Sequence, residues 1–406
     1  MPTKAKLRFL LITISFEILF KAAISQPIEG KWRGAIHYDN IEVPFAFEVL
    51  KSTDSLTELL IISSGDTMEI NNARLKGDSL FVPLGVFDSE LRIRYTNTEM
   101  SGEWHKNYQQ LPGPLFTATY KQDIFSNHSV SMAPVEIEDR WRITLMQPSG
   151  GISKALGLFE QHENQIAGTI LTEVGDYRYF EGMIMNDSIV MSSFDGVHAF
   201  LFAGSYHVTG WKGRLYHEPG YYENWEAMYD NTYELTDPFE LITTEPGASR
   251  PYYDILTAGG KYNIINTDSL AGKVVVIQLM GTWCPNSFDQ TNYLINWCKS
   301  KPEDVKMIAV SYEPGDKSYA HQRLEKYKKQ MKIPYPMYVG GSLSKGQAAL
   351  AFPTIDRINA FPTLVMVDKK GFIRYICSYF NGPATGDYYL QFGTEFEKRI
   401  EELRNE

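Results

Sequence analysis

The chain has 406 residues, enough for two or three domains with separate cores. Its formal charge of −10, with no basic stripe and no interleaving of basic and aromatic residues, removes the electrostatic case for nucleic-acid binding. Three cysteines are too few for a disulfide scaffold, and an odd count leaves at least one thiol free.

At the N-terminus, Lys4, Lys6 and Arg8 precede a mostly apolar run from Phe9 to Phe20, and Ala23-Ile24-Ser25 places small residues at the cleavage-determining positions. This order predicts a signal peptide over residues 1–25, cleavage before Gln26, and a periplasmic or secreted mature protein. Glu17 interrupts the run and Lys21 follows it, which disfavours a transmembrane helix, so no membrane segment is expected after cleavage.

Residues 26–235 carry short alternating runs such as Phe45-Ala46-Phe47-Glu48-Val49, broken by turn signals such as Lys76-Gly77-Asp78 and Met185-Asn186-Asp187. This pattern predicts an all-β, barrel-like domain, with a sandwich as the alternative. It also repeats. Lys31-Trp32-Arg33 returns as Arg140-Trp141-Arg142 and Asp78-Ser79-Leu80 as Asp187-Ser188-Ile189, both 109 residues on. Phe47-Glu48 resembles Phe159-Glu160, Phe87-Asp88 resembles Phe194-Asp195, and Gly102/Trp104 are echoed by Trp211/Gly213. An internal duplication whose copies share a core is expected. In the second copy, Asp176, Arg178, Asp195 and His198 could surround a polar ligand at a barrel mouth, but turn formation and an Arg-Asp pair holding strand ends explain them more simply. No metal-ligand spacing is present, and no cofactor is implied.

Residues 236–259, with Asp237-Pro238, Glu245-Pro246-Gly247 and Arg250-Pro251, read as a linker. The last domain, residues 260–406, predicts strand 274–279, helix 284–298, strand 307–311, helix 319–330, a long connection over 334–360, strand 363–367, a turn at 368–371, strand 372–379 and helix 392–404. Alternation of β and α closed by a hairpin and helix gives a multidomain chain whose C-terminal part is α/β. The buried strand feeds Gly281-Thr282-Trp283-Cys284-Pro285-Asn286-Ser287 onto a helix start, where amide N–H groups and the helix dipole lower a thiol pKa. Cys298 lies on the helix that begins at Cys284, too far along the axis to meet it, and reads as a core residue. Cys377 reads as core or edge.

That turn, together with Phe361-Pro362-Thr363-Leu364-Val365-Met366-Val367-Asp368-Lys369-Lys370-Gly371, resembles exported thioredoxin-like proteins of the TlpA type over residues 260–406. The resemblance implies a cis Pro362 against Cys284, with the Phe361 backbone and Thr363 beside an extended substrate, and Trp283 and Pro285 flanking the sulfur. The pattern departs at Ser287, which stands where the family has its second redox cysteine. A hydroxyl cannot attack a mixed disulfide, so the usual cycle stops at its second step. Gln278, six before Cys284, stands where thioredoxins often bury an acid, and an amide cannot shuttle a proton. Two functions follow. Cys284 exchanges with protein disulfides or thiols, Ser287 supports the thiolate, and an external thiol, of a protein or a small molecule, releases the adduct; alternatively the chain is a redox-silent binding scaffold whose β-rich domain does the work. A peroxidase fits less well, because the residues ahead of Cys284 lack the Pro and Thr expected there. Mass spectrometry of protein from its native host should find Gln26 at the N-terminus; a retained Met1 in the soluble cytoplasmic fraction would refute export.

Overall fold

The computed structural model describes residues 27–53, 55–109, 111–125, 136–242, 254–256, 262–264, 270, 272–350, 352, 355 and 357–406. The expected signal peptide and much of the expected linker lie outside the described residues. Eight antiparallel strands form the first barrel: β1 (Gly30–Tyr38), β2 (Ile41–Ser52), β3 (Leu56–Ser63), β4 (Asp66–Lys76), β5 (Ser79–Pro83), β6 (Ser89–Tyr95), β7 (Glu99–Lys106) and β8 (Leu115–Tyr120). They follow one another in space, and β8 closes on β1 with Trp32 opposite Tyr120. Burial alternates residue by residue in β5 and β6, which aims one face inward. Trp32, Phe45, Phe47, Trp104 and Phe116 fill the interior, as expected when eight strands leave room only for side chains.

The second barrel repeats this plan with β9 (Arg140–Met146), β10 (Ile152–His162), β11 (Gln165–Thr172), the two-residue β12 (Gly175–Asp176), β13 (Phe180–Met185), β14 (Ser188–Phe194), β15 (Ala199–His207), β16 (Gly210–Glu218) and β17 (Tyr221–Tyr229). β17 closes on β9, and β12 is a lateral flap paired only with β11. Setting that flap aside, Trp32 and Trp141 lie on first strands, Phe47 and Phe159 on second strands, Ser79 and Ser188 open fifth strands, and Trp104 and Trp211 lie on seventh strands. The two barrels share an apolar seam. Phe194 of β14 stacks on Phe45 of β2 at 4.2 Å and meets Trp104 edge-on, and Ala199 and Leu201 of β15 join the first barrel's core.

In the C-terminal domain a seven-stranded sheet has the order β19-β18-β22-β21-β20-β23-β24. Its elements are β18 (Asp254–Leu256), β19 (Tyr262–Ile264), β20 (Val274–Met280), α1 (Pro285–Trp297), β21 (Val305–Glu313), α2 (Lys317–Met331), β22 (Met337–Ser342), α3 (Lys345–Leu350), β23 (Thr363–Val367), β24 (Ile373–Cys377) and α4 (Asp387–Asn405). β20, β21 and β22 run parallel, β23 runs antiparallel to β20, and β24 is antiparallel to β23 and so has the direction of β20. Every residue of β20 is buried, as befits a central parallel strand covered on both faces. Two expectations need correction. The 334–360 connection contributes β22 and α3, and Gly340 reads as a loop residue only because its neighbours are unseen in sequence: a Cβ there would lie 2.5 Å from Val310 and 2.8 Å from the Tyr312 ring. Asp254–Leu256, placed in the linker, is a sheet strand paired to β22.

Inside the second barrel, Trp225 is fully buried and stacks on Phe202 at 3.9 Å. Trp225→Ala should therefore lower urea-measured stability by about 3–5 kcal/mol, whereas Val208→Ala, at a position 99% exposed, should change it by less than about 0.5 kcal/mol.

Candidate functional site

β20 ends at Met280, and the chain turns through Gly281, Thr282 and Trp283 to place Cys284 as the N-cap of α1 with Pro285 in its first turn. A proline at that position suits the fixed φ of a helix start and withholds a donor that would have no intrahelical partner. The Phe361-Pro362 peptide is cis, and the Cys284 thiol donates to the Phe361 carbonyl at 3.3 Å. Thr363 lies beneath, its hydroxyl donating to the Ala360 carbonyl at 2.8 Å and to that of Ser378 at 3.3 Å. Trp283 donates through Nε1 to the Tyr312 carbonyl at 2.9 Å and meets the Phe361 ring edge-on, while Tyr312 stacks on Phe361. Cys284, Trp283, Pro285, Ser287, Phe361, Pro362 and Thr363 thus converge on one corner of the domain.

The electrostatics of that corner depart from the expectation. Cys284 is only 8% exposed, and burial pushes its thiol up, outweighing the lowering from the Ser287 hydroxyl and the Ser287 and Asn286 amides. Ser287 is fully buried and also accepts from the Gly281 N–H at 3.4 Å. The helix start acts in the expected direction, but desolvation is larger. Gln278 donates to Gln290 at 3.1 Å and to Thr291 at 3.2 Å, holding α1 against the sheet. Cys298 is half-buried rather than core, Cys377 is fully buried with its thiol donating to the Tyr379 carbonyl at 3.1 Å, and all three cysteines are free.

Sequence reasoning missed the residues that surround the corner. Glu313, buried at the end of β21, accepts from the Thr282 N–H and hydroxyl at 2.8 Å each and from the Ser311 hydroxyl, fixing the turn two residues before the thiol. Burial pushes its carboxyl up. A charged residue ending an apolar strand was the available signal. Asp176 does form the expected turn, accepting from the Arg178 N–H at 2.8 Å, but the side chains of Asp176 and Arg178 also reach other units. Arg178 donates to both carboxylate oxygens of Asp289 on α1, at 2.9 and 3.0 Å, and to Asp66 of the first barrel at 2.9 Å. Asp176 accepts from Asn286 at 3.1 Å and from the Gly382 N–H at 2.8 Å. Asp195 accepts from the Val197 and His198 N–H groups and pairs with the His198 ring at 3.1 Å, all within its own turn. A cleft of about 720 Å³ lies elsewhere, between the second barrel and α4; Leu171, Asp237, Asn381 and Asp387 line it and Cys284 does not.

Residues 248–376 match the AhpC/TSA family. No curated protein matches the chain. Among solved structures, the chain is similar to a thiol:disulfide interchange protein of the thioredoxin family from Chlorobium tepidum TLS, 19% identical, covering 36% of this chain and 97% of that one with a TM-score of 0.25. A thiol-disulfide isomerase from Corynebacterium glutamicum is 17% identical and covers 44% and 99%, TM-score 0.27. A secreted disulfide oxidoreductase of Mycobacterium tuberculosis is 12% identical and covers 36% and 97%, TM-score 0.27. By its element order and family match the C-terminal domain is thioredoxin-like.

Because the thiol is raised, the thiolate fraction at neutral pH is small and grows only as pH rises through the elevated value. Iodoacetamide rates at Cys284, followed against pH by peptide mapping, should give an apparent pKa above the free-cysteine value of about 8.5, and Ser287→Ala should move it higher still by removing a lowering hydroxyl. A value below that of free cysteine would refute the burial argument.

Proposed function

We propose that this chain is an exported, TlpA-like monothiol protein that forms mixed disulfides through Cys284. The observation that carries the reading is the thiol at the helix start, in hydrogen-bond contact with the Phe361 carbonyl beside cis Pro362. In the reaction, deprotonated Cys284 attacks one sulfur of a substrate disulfide. A Cys284–sulfur bond forms, the substrate's sulfur–sulfur bond breaks, and the leaving thiolate takes a proton from solvent. The Phe361 backbone pairs with the extended substrate, Trp283 walls the sulfur, Pro285 and Thr363 hold the two loops, and Ser287 donates to the thiolate. With a hydroxyl at Ser287 and Cys298 at the far end of α1, the adduct persists until an external thiol, from a protein or a small molecule, attacks it and leaves Cys284 reduced.

In this reading residues 1–25 are a removed signal peptide, 26–235 a duplicated β unit, 236–259 a linker and 260–406 the redox domain, and the mature protein works in the periplasm or outside the cell. The equivalent strand positions of the two Trp and two Asp-Ser signatures support the duplication. One observation favours the second reading, a redox-silent scaffold: the burial of Cys284, which suppresses the thiolate.

Wild-type protein should show little turnover in an insulin-reduction assay, and Ser287→Cys should gain it and form an intramolecular disulfide, since positions i and i+3 of a helix are neighbours. Cys284→Ser should abolish covalent capture of disulfide partners. Failure of Ser287→Cys to form that disulfide, or of wild-type Cys284 to react with any disulfide probe, would favour the scaffold.

A further inference from the structure

Both barrels reach the start of α1, and what they touch is the turn that bears the thiol. From the second barrel, Asp176 receives the Asn286 amide, and Gly175 lies so close that a Cβ on it would fall 2.8 Å from Asn286 Nδ2. Arg178 holds Asp289, one turn further along, through two parallel bonds. From the first barrel, Phe87 packs edge-on against Phe288 at 5.8 Å, the Val86 carbonyl accepts from Arg323 of α2, and Asp88 accepts from the Tyr319 hydroxyl. Asn286, Phe288 and Asp289, the residues that follow Cys284, are all engaged, and the sulfur is 8% exposed.

The two kinds of interface in the molecule differ in character. The barrels are joined by an apolar seam, with Phe194, Ala199 and Leu201 of one inside the core of the other. The cores of the C-terminal domain are separate, and among the described barrel residues only Val86 packs on them. Apart from the Phe87–Phe288 pair, the remaining contact at the thiol corner is polar and charged, the type across which domains move by default. It is also imperfectly balanced. One guanidinium, Arg178, faces the carboxylates of Asp66, Asp289 and, further off, Asp195, and Arg323 Nη1 is buried without a partner among the described residues. Arg178 holds its place at φ 57°, a left-handed conformation that side-chain-bearing residues seldom adopt.

We propose that the barrel pair is a releasable cover over Cys284, clasped to α1 by Arg178, and that the thiol meets its substrates only when this clasp opens. The regulation rests on the thiol-exchange reading of Cys284, while accessibility itself can be measured without any exchange. Closed, the cover holds the helix start behind the sulfur and removes the sulfur from water. Open, it leaves Cys284 at a solvated helix start, where the amides and Ser287 act on the thiol without the opposing desolvation. The barrels, sharing one core, move as one body.

The test is the iodoacetamide rate at Cys284 in the full chain, read by peptide mapping, for wild type, Arg178→Met and Asp66→Asn. The first variant removes every bond of the clasp, and the second leaves the Asp289 pair intact. Cys377, fully buried in β24, reports any general loosening of the fold. Arg178→Met should raise the Cys284 rate about tenfold or more with Cys377 unchanged, as expected for local opening, and Asp66→Asn should raise it less. An unchanged Cys284 rate in Arg178→Met, or a rise shared equally by Cys377 in both variants, overturns the cover. A variant that alkylates faster yet captures no disulfide probe keeps the cover and removes the redox reading, so the two failures are distinct.

Discussion

The bond on which the arrangement of the three units turns is the paired donation from Arg178 to Asp289, extended by the same guanidinium to Asp66. Arg178 and Asp289 side chains are 8% and 7% exposed. At that depth an ion pair adds little net stability, because desolvation offsets the attraction, but removing one partner strands a buried charge at about 3–5 kcal/mol. Such a contact fixes geometry more than it stabilises. The electrostatic environment shows the tension: burial pushes the Asp289 carboxyl up to about 7 against the pull of Arg178, while Arg178, against its own burial, is held protonated by Asp289, Asp195 and Asp66. The bidentate geometry requires an ionised Asp289, so the attraction prevails in the closed arrangement.

The same competition decides the chemistry of Cys284. Alignment with a helix N-terminus is worth about 0.3–1 kcal/mol, less than one pKa unit at about 1.4 kcal/mol, whereas full burial can shift a group by about 3–5 units. Desolvation therefore sets the direction, and Ser287 and the two amides reduce a rise that they cannot cancel. The burial is not a property of the Trp-Cys-Pro turn. It comes from packing around that turn, which is why a motif that favours thiolate can host a thiol held protonated.

What was legible in the sequence was what is encoded locally. Alternation marked the strands, the apolar run 274–280 and the proline after Cys284 marked the strand-to-helix turn, and Phe361-Pro362-Thr363 marked the loop opposite. Two classes of feature were not legible. Barrel closure pairs Trp32 with Tyr120 and Trp141 with Tyr229, and nothing in either strand names a partner 88 residues away. Likewise Arg178 and Asp289 are 111 residues apart, and each alone reads as an ordinary turn or surface charge. Lys317–Met331 and Asp387–Asn405 began earlier than apolar periodicity suggested, because Asp316 caps the former through the Tyr319 N–H and Gly386 precedes the latter in a conformation no periodicity signals.

Ser287 and the barrel contact bear on the same quantity, the lifetime of an adduct at Cys284. In the proposed exchange, with no thiol at position 287, Cys284 is released only when an outside thiol attacks the partner's sulfur in the adduct beside it. Under the proposed cover, that thiol passes the contacts that Phe87, Asp176 and Arg178 make with α1. A two-cysteine site can complete its exchange whatever covers it, since both sulfurs lie within one turn of helix. A one-cysteine site cannot, and its entry and its release both pass through the opening between barrels and α1. On the proposed reading, a serine at position 287 removes internal control of the thiol, and the docking of the β-rich unit places that control in an interface between domains.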